Sequence, residues 1–214
     1  MTGFSTYLGR KFLDMSTGKT SYSLPTAYIG LYTTAPTDAG GGVEVAGNNY
    51  SRVTTAGSDW NAASGAAPCT VSNANALTFP VPSADWGTIV AFGVFDASTS
   101  GNLLWWDYLG AYSWLPFTCT SATPGVLTSP AHGYSNGDSV VVTAEYGGTL
   151  PTTGGSWSGL LTVANSATDT FTAGVNTTGT GDGLVRKVVP QVVSSGVAAS
   201  FAGGAPGVLI LTLA

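Results

Sequence analysis

Thr88-Ile89-Val90-Ala91-Phe92-Gly93-Val94-Phe95 is followed, after Asp96-Ala97-Ser98-Thr99-Ser100-Gly101, by Asn102-Leu103-Leu104-Trp105-Trp106-Asp107-Tyr108. Two apolar runs rich in β-branched and aromatic residues flank a loop of Asp, Ser, Thr and Gly, which is the pattern of a β-hairpin. The loop opens on Asp96, whose carboxylate can close an Asx turn over the residues that follow. Trp105 and Trp106 are neighbours, so on a strand they point to opposite faces. One is expected in the core and the other at the surface or in a contact.

Outward from this hairpin, further strands are expected at 27–33, 76–81, 139–145, 159–164, 170–173, 184–193, 197–201 and 208–213, separated by Gly- and Asn-rich turns. One stretch has helical period. Phe4, Leu8, Phe12 and Met15 form a single apolar stripe, with Thr2 or Gly3 as N-cap and Gly18 as the stop. About ten short strands and one helix predict a mostly β protein, with a β-sandwich or jelly-roll-like core and a short N-terminal helix. Between 117 and 183 the chain becomes rich in Thr, Ser and Gly and loses its large apolar residues while keeping strand alternation. Residues 112–185 are therefore expected as a small β-module inserted into a core made of 1–111 plus 186–214. No heptad, Gly-X-Y run or internal repeat supplies a long shaft.

The 214 residues are enough to bury a sizeable core, yet only 8% are charged. Eleven acids against six bases give a net charge of −5, which argues against nucleic acid as a partner. The signs are unevenly spread. Residues 1–52 hold four bases and three acids, 53–185 hold eight acids and no base, and 186–214 hold two bases and no acid. That asymmetry fits docking of one end on an acidic surface. No apolar stretch approaches the roughly 18 residues of a membrane helix, and no charged region followed by an apolar one suggests a secretory leader. Cys69 and Cys119 lie outside any metal-ligand spacing, so two reduced, partly buried thiols and neither metal nor cofactor are expected.

Candidate chemistry is sparse. The sole histidine, His132, sits in His132-Gly133-Tyr134-Ser135-Asn136-Gly137-Asp138, where a base, a hydroxyl and a carboxylate occur together. Asn136-Gly137 before an alternating run is the sequence of a tight turn, which accounts for the segment without catalysis. Asp96 and Asp107 are the candidates for a glycosidase carboxylate pair. Trp86, Trp105, Trp106, Trp114 and Trp157, with Tyr108 and Tyr112, could stack on sugars or anchor a protein interface. The interface is favoured, because a chain so poor in charge hides surface by assembly. Arg10, Lys11, Arg52, Trp105, Trp106 and Trp157 are the expected partner contacts, and the protein is not expected to be an enzyme.

The segment Tyr28-Ile29-Gly30-Leu31-Tyr32-Thr33-Thr34-Ala35-Pro36-Thr37-Asp38-Ala39-Gly40-Gly41-Gly42-Val43-Glu44-Val45 is followed by Tyr50-Ser51-Arg52, Phe79-Pro80, Trp86-Gly87-Thr88-Ile89-Val90, Gly93-Val94-Phe95-Asp96-Ala97 and Gly101-Asn102-Leu103-Leu104. In this order, with a closing aliphatic strand near the end, the chain resembles small structural proteins of tailed-bacteriophage virions, labelled tail fibre, minor tail or head proteins. The resemblance covers about 1–111 and 186–214. The block 112–185 departs from it, and within that block 132–138 and 165–171 resemble a small β-module inserted in various phage structural proteins. The resemblance implies a virion protein without catalytic residues. The expected function is a capsid decoration (cement) protein that stabilises the head by contacts with the major capsid protein. A tail-associated fibre or adhesin binding a host glycan or receptor is the alternative, and a glycan hydrolase ranks last. A symmetric homo-oligomer, a trimer, is expected, with no nucleic acid or membrane as partner.

Overall fold

The hairpin of 91–108 forms the centre of a six-stranded antiparallel sheet in the computed structural model, which describes residues 3–23, 25–65, 69–110, 112–144, 148–205 and 208–213. Thr88 and Ile89, expected in the same strand, pair instead with Val192 and Gln191. Strand order runs Gly3–Phe4, Leu103–Tyr108, Ala91–Phe95, Ala27–Thr34, Val43–Glu44, with Val53–Thr55 also paired to Ala27–Thr34. Ile29 opposes Val94 and Val94 opposes Trp105, while Gly30 opposes Gly93 and Gly93 opposes Trp106. The register slips between Val94 and Phe95, a bulge that adds Leu104 to the Leu103–Tyr108 strand.

Both faces of this sheet are covered, which is why its strands read as continuous apolar runs. On one face Ile29, Leu31, Phe92, Val94 and Trp105 pack with Leu8 of the helix and with Leu77, Phe79, Trp86, Ile89, Val193 and Leu209. The last six come from segments tied in two-stranded ladders, as Gln191–Val193 pairs with Gly87–Ile89, Ser200–Phe201 with Leu77–Thr78, and Ile210–Leu213 with Cys69–Ser72. The C-terminal stretch thus runs antiparallel along 69–89 and closes that core. On the opposite face Tyr32 stacks on Phe95 and Trp106 meets Tyr108 edge-on. These rings lie over glycines. A Cβ on Gly93 would come within 2.9 Å of both Leu103 and Tyr32.

The helix spans Thr6–Ser16 and is capped by Ser5, whose Oγ accepts the Leu8 N–H at 3.1 Å. That differs from the expected cap at Thr2, which lies outside the described residues, or Gly3. Gly3 and Phe4 are held extended against Trp106 and Trp105, so the helix can begin only after them. Leu8 and Phe12 face the core, but Met15, placed on the same stripe by its spacing, is 42% exposed. Gly18, at φ +70°, ends the helix in a Schellman turn in which Lys19 N–H reaches the Asp14 carbonyl and Gly18 N–H that of Met15.

The chain divides into two compact units, Met1–Leu109 with Gln191–Ala214, and Gly110–Pro190. The second unit is also antiparallel, in the order Leu161–Thr162, Ser139–Thr143, Gly181–Val188, Leu115–Cys119, Val126–Thr128, Thr170–Thr172. Ala164 then bridges Thr172, so the first and last strands meet and the sheet closes into a small barrel. Its own core contains Phe117, Leu127, Tyr134, Val140, Val163, Phe171 and Val185. The run 184–193 is two strands, Gly181–Val188 in the barrel and Gln191–Val193 in the first unit, interrupted by Pro190, which has no N–H to donate. Arg186 and Lys187, grouped by sequence with the returning core, therefore belong to the barrel.

Candidate functional site

The residues that carried the family resemblance converge beside the 96–102 loop. Glu44 comes from the strand after the Gly-rich turn, and Arg52 stands eight residues on. Arg52 sets Nε and Nη2 on the two Glu44 carboxylate oxygens at 2.8 and 2.7 Å. Its Nη1 reaches the carbonyls of Ala97 at 2.8 Å and Ser100 at 2.7 Å. The guanidinium also stacks 3.3 Å from the Phe95 ring centroid, and the side chain is only 7% exposed. Tyr50 accepts the Leu31 N–H at 2.8 Å and donates to Glu44 at 2.9 Å. Burial, with the Glu44 charge adding to it, pushes the Tyr50 hydroxyl well above its ordinary range and Tyr32 up to about 12, so both stay protonated. Gly30 makes room for this cluster, since a Cβ there would lie 2.7 Å from a Glu44 oxygen.

The geometry fixes loops. Asp96 accepts the Asn102 N–H at 2.6 Å and the Asn102 side-chain amide at 2.7 Å, so it ties the two ends of the loop together six residues apart rather than closing an Asx turn two residues on. Asp107 accepts the Tyr108 N–H. Trp86 donates to the Asn48 carbonyl at 3.1 Å, and Trp106 to Asp38 at 2.9 Å. Trp105 and Trp106 are both buried, at 8% and 5% exposure, because the sheet is covered on two sides rather than one. Trp157 is half-buried in the barrel, packed on Phe117 with its N–H on the Pro151 carbonyl at 3.0 Å. The structure thus places Arg52, Trp105 and Trp106 inside the first unit and leaves Arg10 and Lys11 on the helix surface.

His132 is buried between Tyr134 and Phe171. Its Nδ1 accepts the Tyr134 N–H at 2.9 Å, so Nε2 carries the proton, facing the Thr170 carbonyl at 3.4 Å. Asp138 accepts from Ser135 N–H and from Lys187 Nζ, each at 2.8 Å. Burial opposes ionisation of Asp138, but the hydrogen bonds from Lys187 and Ser135 and the Lys187 charge outweigh it and hold the carboxyl below its usual range. Arg186 is buried, with Nη2 on the Gly110 carbonyl at 2.9 Å. Cys69 and Cys119 are free thiols. Cys119 is buried, with its thiol pushed up by burial, whereas Cys69 is exposed rather than partly buried. Among the described residues no three His, Cys, Asp or Glu side chains gather as a metal site, and no helix is long and apolar enough to cross a membrane.

Sequence reasoning missed Asn73. It is fully buried and takes the Leu209 N–H on its side-chain oxygen at 2.8 Å, while its amide donates to the carbonyls of Asn75 and Ala202, both at 2.9 Å. It fastens the C-terminal stretch, and nothing in Ser72-Asn73-Ala74 distinguishes such a clasp from an ordinary turn.

A family described as podophage GP4 fiber I protein gp80 matches residues 3–113, more than half of the chain. The chain belongs to this family. The matched segment contains the helix, the Glu44–Tyr50–Arg52 cluster and the central hairpin of the podophage fibre family member described here. No curated protein matches the chain. Membership makes the protein a structural or fibre component of a tailed-phage virion, in contact with other virion proteins.

Proposed function

We propose that the protein is a tail-associated fibre component that works by binding and holding rather than by catalysis. The observation that carries this reading is the family match over residues 3–113, whose description names a fibre. The site geometry supports it. Glu44, Tyr50, Arg52, Trp86 and Trp106 brace loops of the first unit, and both His132 nitrogens face backbone groups in the second. A second reading, a head-decoration protein on the major capsid protein, is favoured by one observation. The described helix has 11 residues, and the sequence has no heptad or repeat from which to build a shaft. Counting copies in purified particles by quantitative mass spectrometry tests the two. A handful per particle supports the fibre, and hundreds support decoration.

The low charge content, with Val192, Val197 and Val208 exposed at 73%, 66% and 63%, supports a symmetric oligomer, for which a trimer is proposed. A strictly monomeric species by light scattering at tens of micromolar counts against it.

A further inference from the structure

All six Lys and Arg side chains lie among the described residues, and three are occupied within the fold. Arg52 holds Glu44 and two loop carbonyls, Arg186 is buried on Gly110, and Lys187 pairs with Asp138 at 2.8 Å. The other three are Arg10, Lys11 and Lys19, all on the Thr6–Ser16 helix or its closing turn. Arg10 is exposed, Lys11 is half-exposed beside the Tyr7 ring, and the Lys19 side chain is 75% exposed with Asp14 no nearer than 4.0 Å. On the same helix Leu13 stands 67% exposed. It lies three residues from Arg10, on the side turned away from the buried Leu8 and Phe12. The helix and its closing turn thus carry three bases against one acid, Asp14, with Leu13 exposed beside Arg10, on a protein whose net charge is −5. Solubility does not require it, since the other ten acids supply charge elsewhere.

We propose that this outward helix face is the docking surface for another virion protein, one presenting carboxylates beside an apolar patch. Opposite charges steer and orient such an encounter, and Leu13 supplies the part that dehydrates. The proposal rests on the virion reading above. The other occupants fit less well. A lipid surface would need the helix's broad apolar face, and that face is already packed on the sheet through Leu8, Phe12 and Tyr7. Nucleic acid would meet three cations backed by a net negative chain. A second copy gripped by its acidic surface would make a head-to-tail contact, which closes only at special rotations.

The test uses the full chain and particles assembled without it. Wild type is compared with Arg10→Glu/Lys11→Glu/Lys19→Glu, with the neutral Arg10→Gln/Lys19→Gln, and with Leu13→Ser, each first checked for an unchanged melting curve. Wild type should bind the particles saturably and lose affinity as salt rises. The charge-reversed variant should bind about tenfold more weakly or worse, and the other two should fall in between. Particle binding unchanged in all the variants would overturn the proposal. So would charge-dependent binding of wild type to phosphatidylglycerol vesicles or duplex DNA, or self-association that the charge variant abolishes. If the protein is missing from purified virions, the virion reading fails. If it is present and the variants incorporate normally, only the docking face fails.

Discussion

The two units solve the problem of the open sheet edge in different ways. The barrel unit returns its last strand to its first through Ala164 and Thr172 and leaves no long edge. The first unit keeps an open sheet, ends it in the two-residue strands Gly3–Phe4 and Val43–Glu44, and braces it with polar side chains and short C-terminal ladders. The barrel sets the buried polar side chains of His132, Thr172, Thr177 and Arg186 on backbone groups of its own unit. The open sheet needs an ion pair, a tyrosine hydroxyl and a buried asparagine at its margins. Closure in one unit and border contacts in the other are two ways of satisfying the same edge groups.

Substitution in each core should separate the units most sharply. Phe171→Ala empties the centre of the barrel at a fully buried position, and a loss of about 3–5 kcal/mol is expected there. Amide exchange should accelerate across 110–190 and stay slow in the 27–34 and 91–108 strands. Equal acceleration in both would show a single cooperative block. Arg52→Gln should come next, at about 2–3 kcal/mol, because it leaves the half-buried Glu44 carboxylate without its bidentate partner and frees the 96–102 loop. Arg52→Lys should rescue little of this, since an ammonium cannot span both carboxylate oxygens and the loop carbonyls. A denaturant series on both variants decides it, with full rescue by Lys counting against the fork geometry. Asn73→Ala should cost about 1–3 kcal/mol and act on the first unit alone, seen as faster exchange at Leu209 and across 200–211.

The smallest effect concerns the barrel in acid. Because the Asp138 carboxyl is held below its usual value in the folded state, its contribution is complete above the unfolded value and is lost as pH falls through the folded one. The barrel should lose no more than about 1 kcal/mol over that window, given a partly exposed pair. Lys187→Met should flatten the dependence, and an unchanged acid profile in that variant would assign the effect to other carboxylates.

The mostly β class was legible because alternation and turn residues are local signals, although Asp96 bonds Asn102 across the whole loop rather than in the expected Asx turn. The central hairpin was legible for the same reason. The two-sided cover of Trp105 and Trp106 was not, because it depends on rings from Tyr32, Phe95 and Tyr108 that pairing brings together from afar. Arg52 looked available for a partner because a lone arginine in sequence does not show that Glu44 and two loop carbonyls will surround it. Arg10 and Lys11 stayed at the surface because the helical stripe that buries Leu8 and Phe12 turns them outward. The helix start was misplaced by the strand pairing of Gly3 and Phe4, which overrides their local preference.

The barrel's opening strand Leu115–Cys119 and its closing strand Gly181–Val188 are direct neighbours, with Leu115 opposite Val185. Its two chain ends therefore leave from one place, so that a host chain carrying it has only a short gap to span. Such a unit has the build of a cassette. Replacing residues 110–190 by a short linker is expected to leave the strands on either side in register, seen as a cooperative melt of what remains. Variation in this lineage should accordingly come in whole blocks near residues 110 and 190, rather than as gradual drift in strand length.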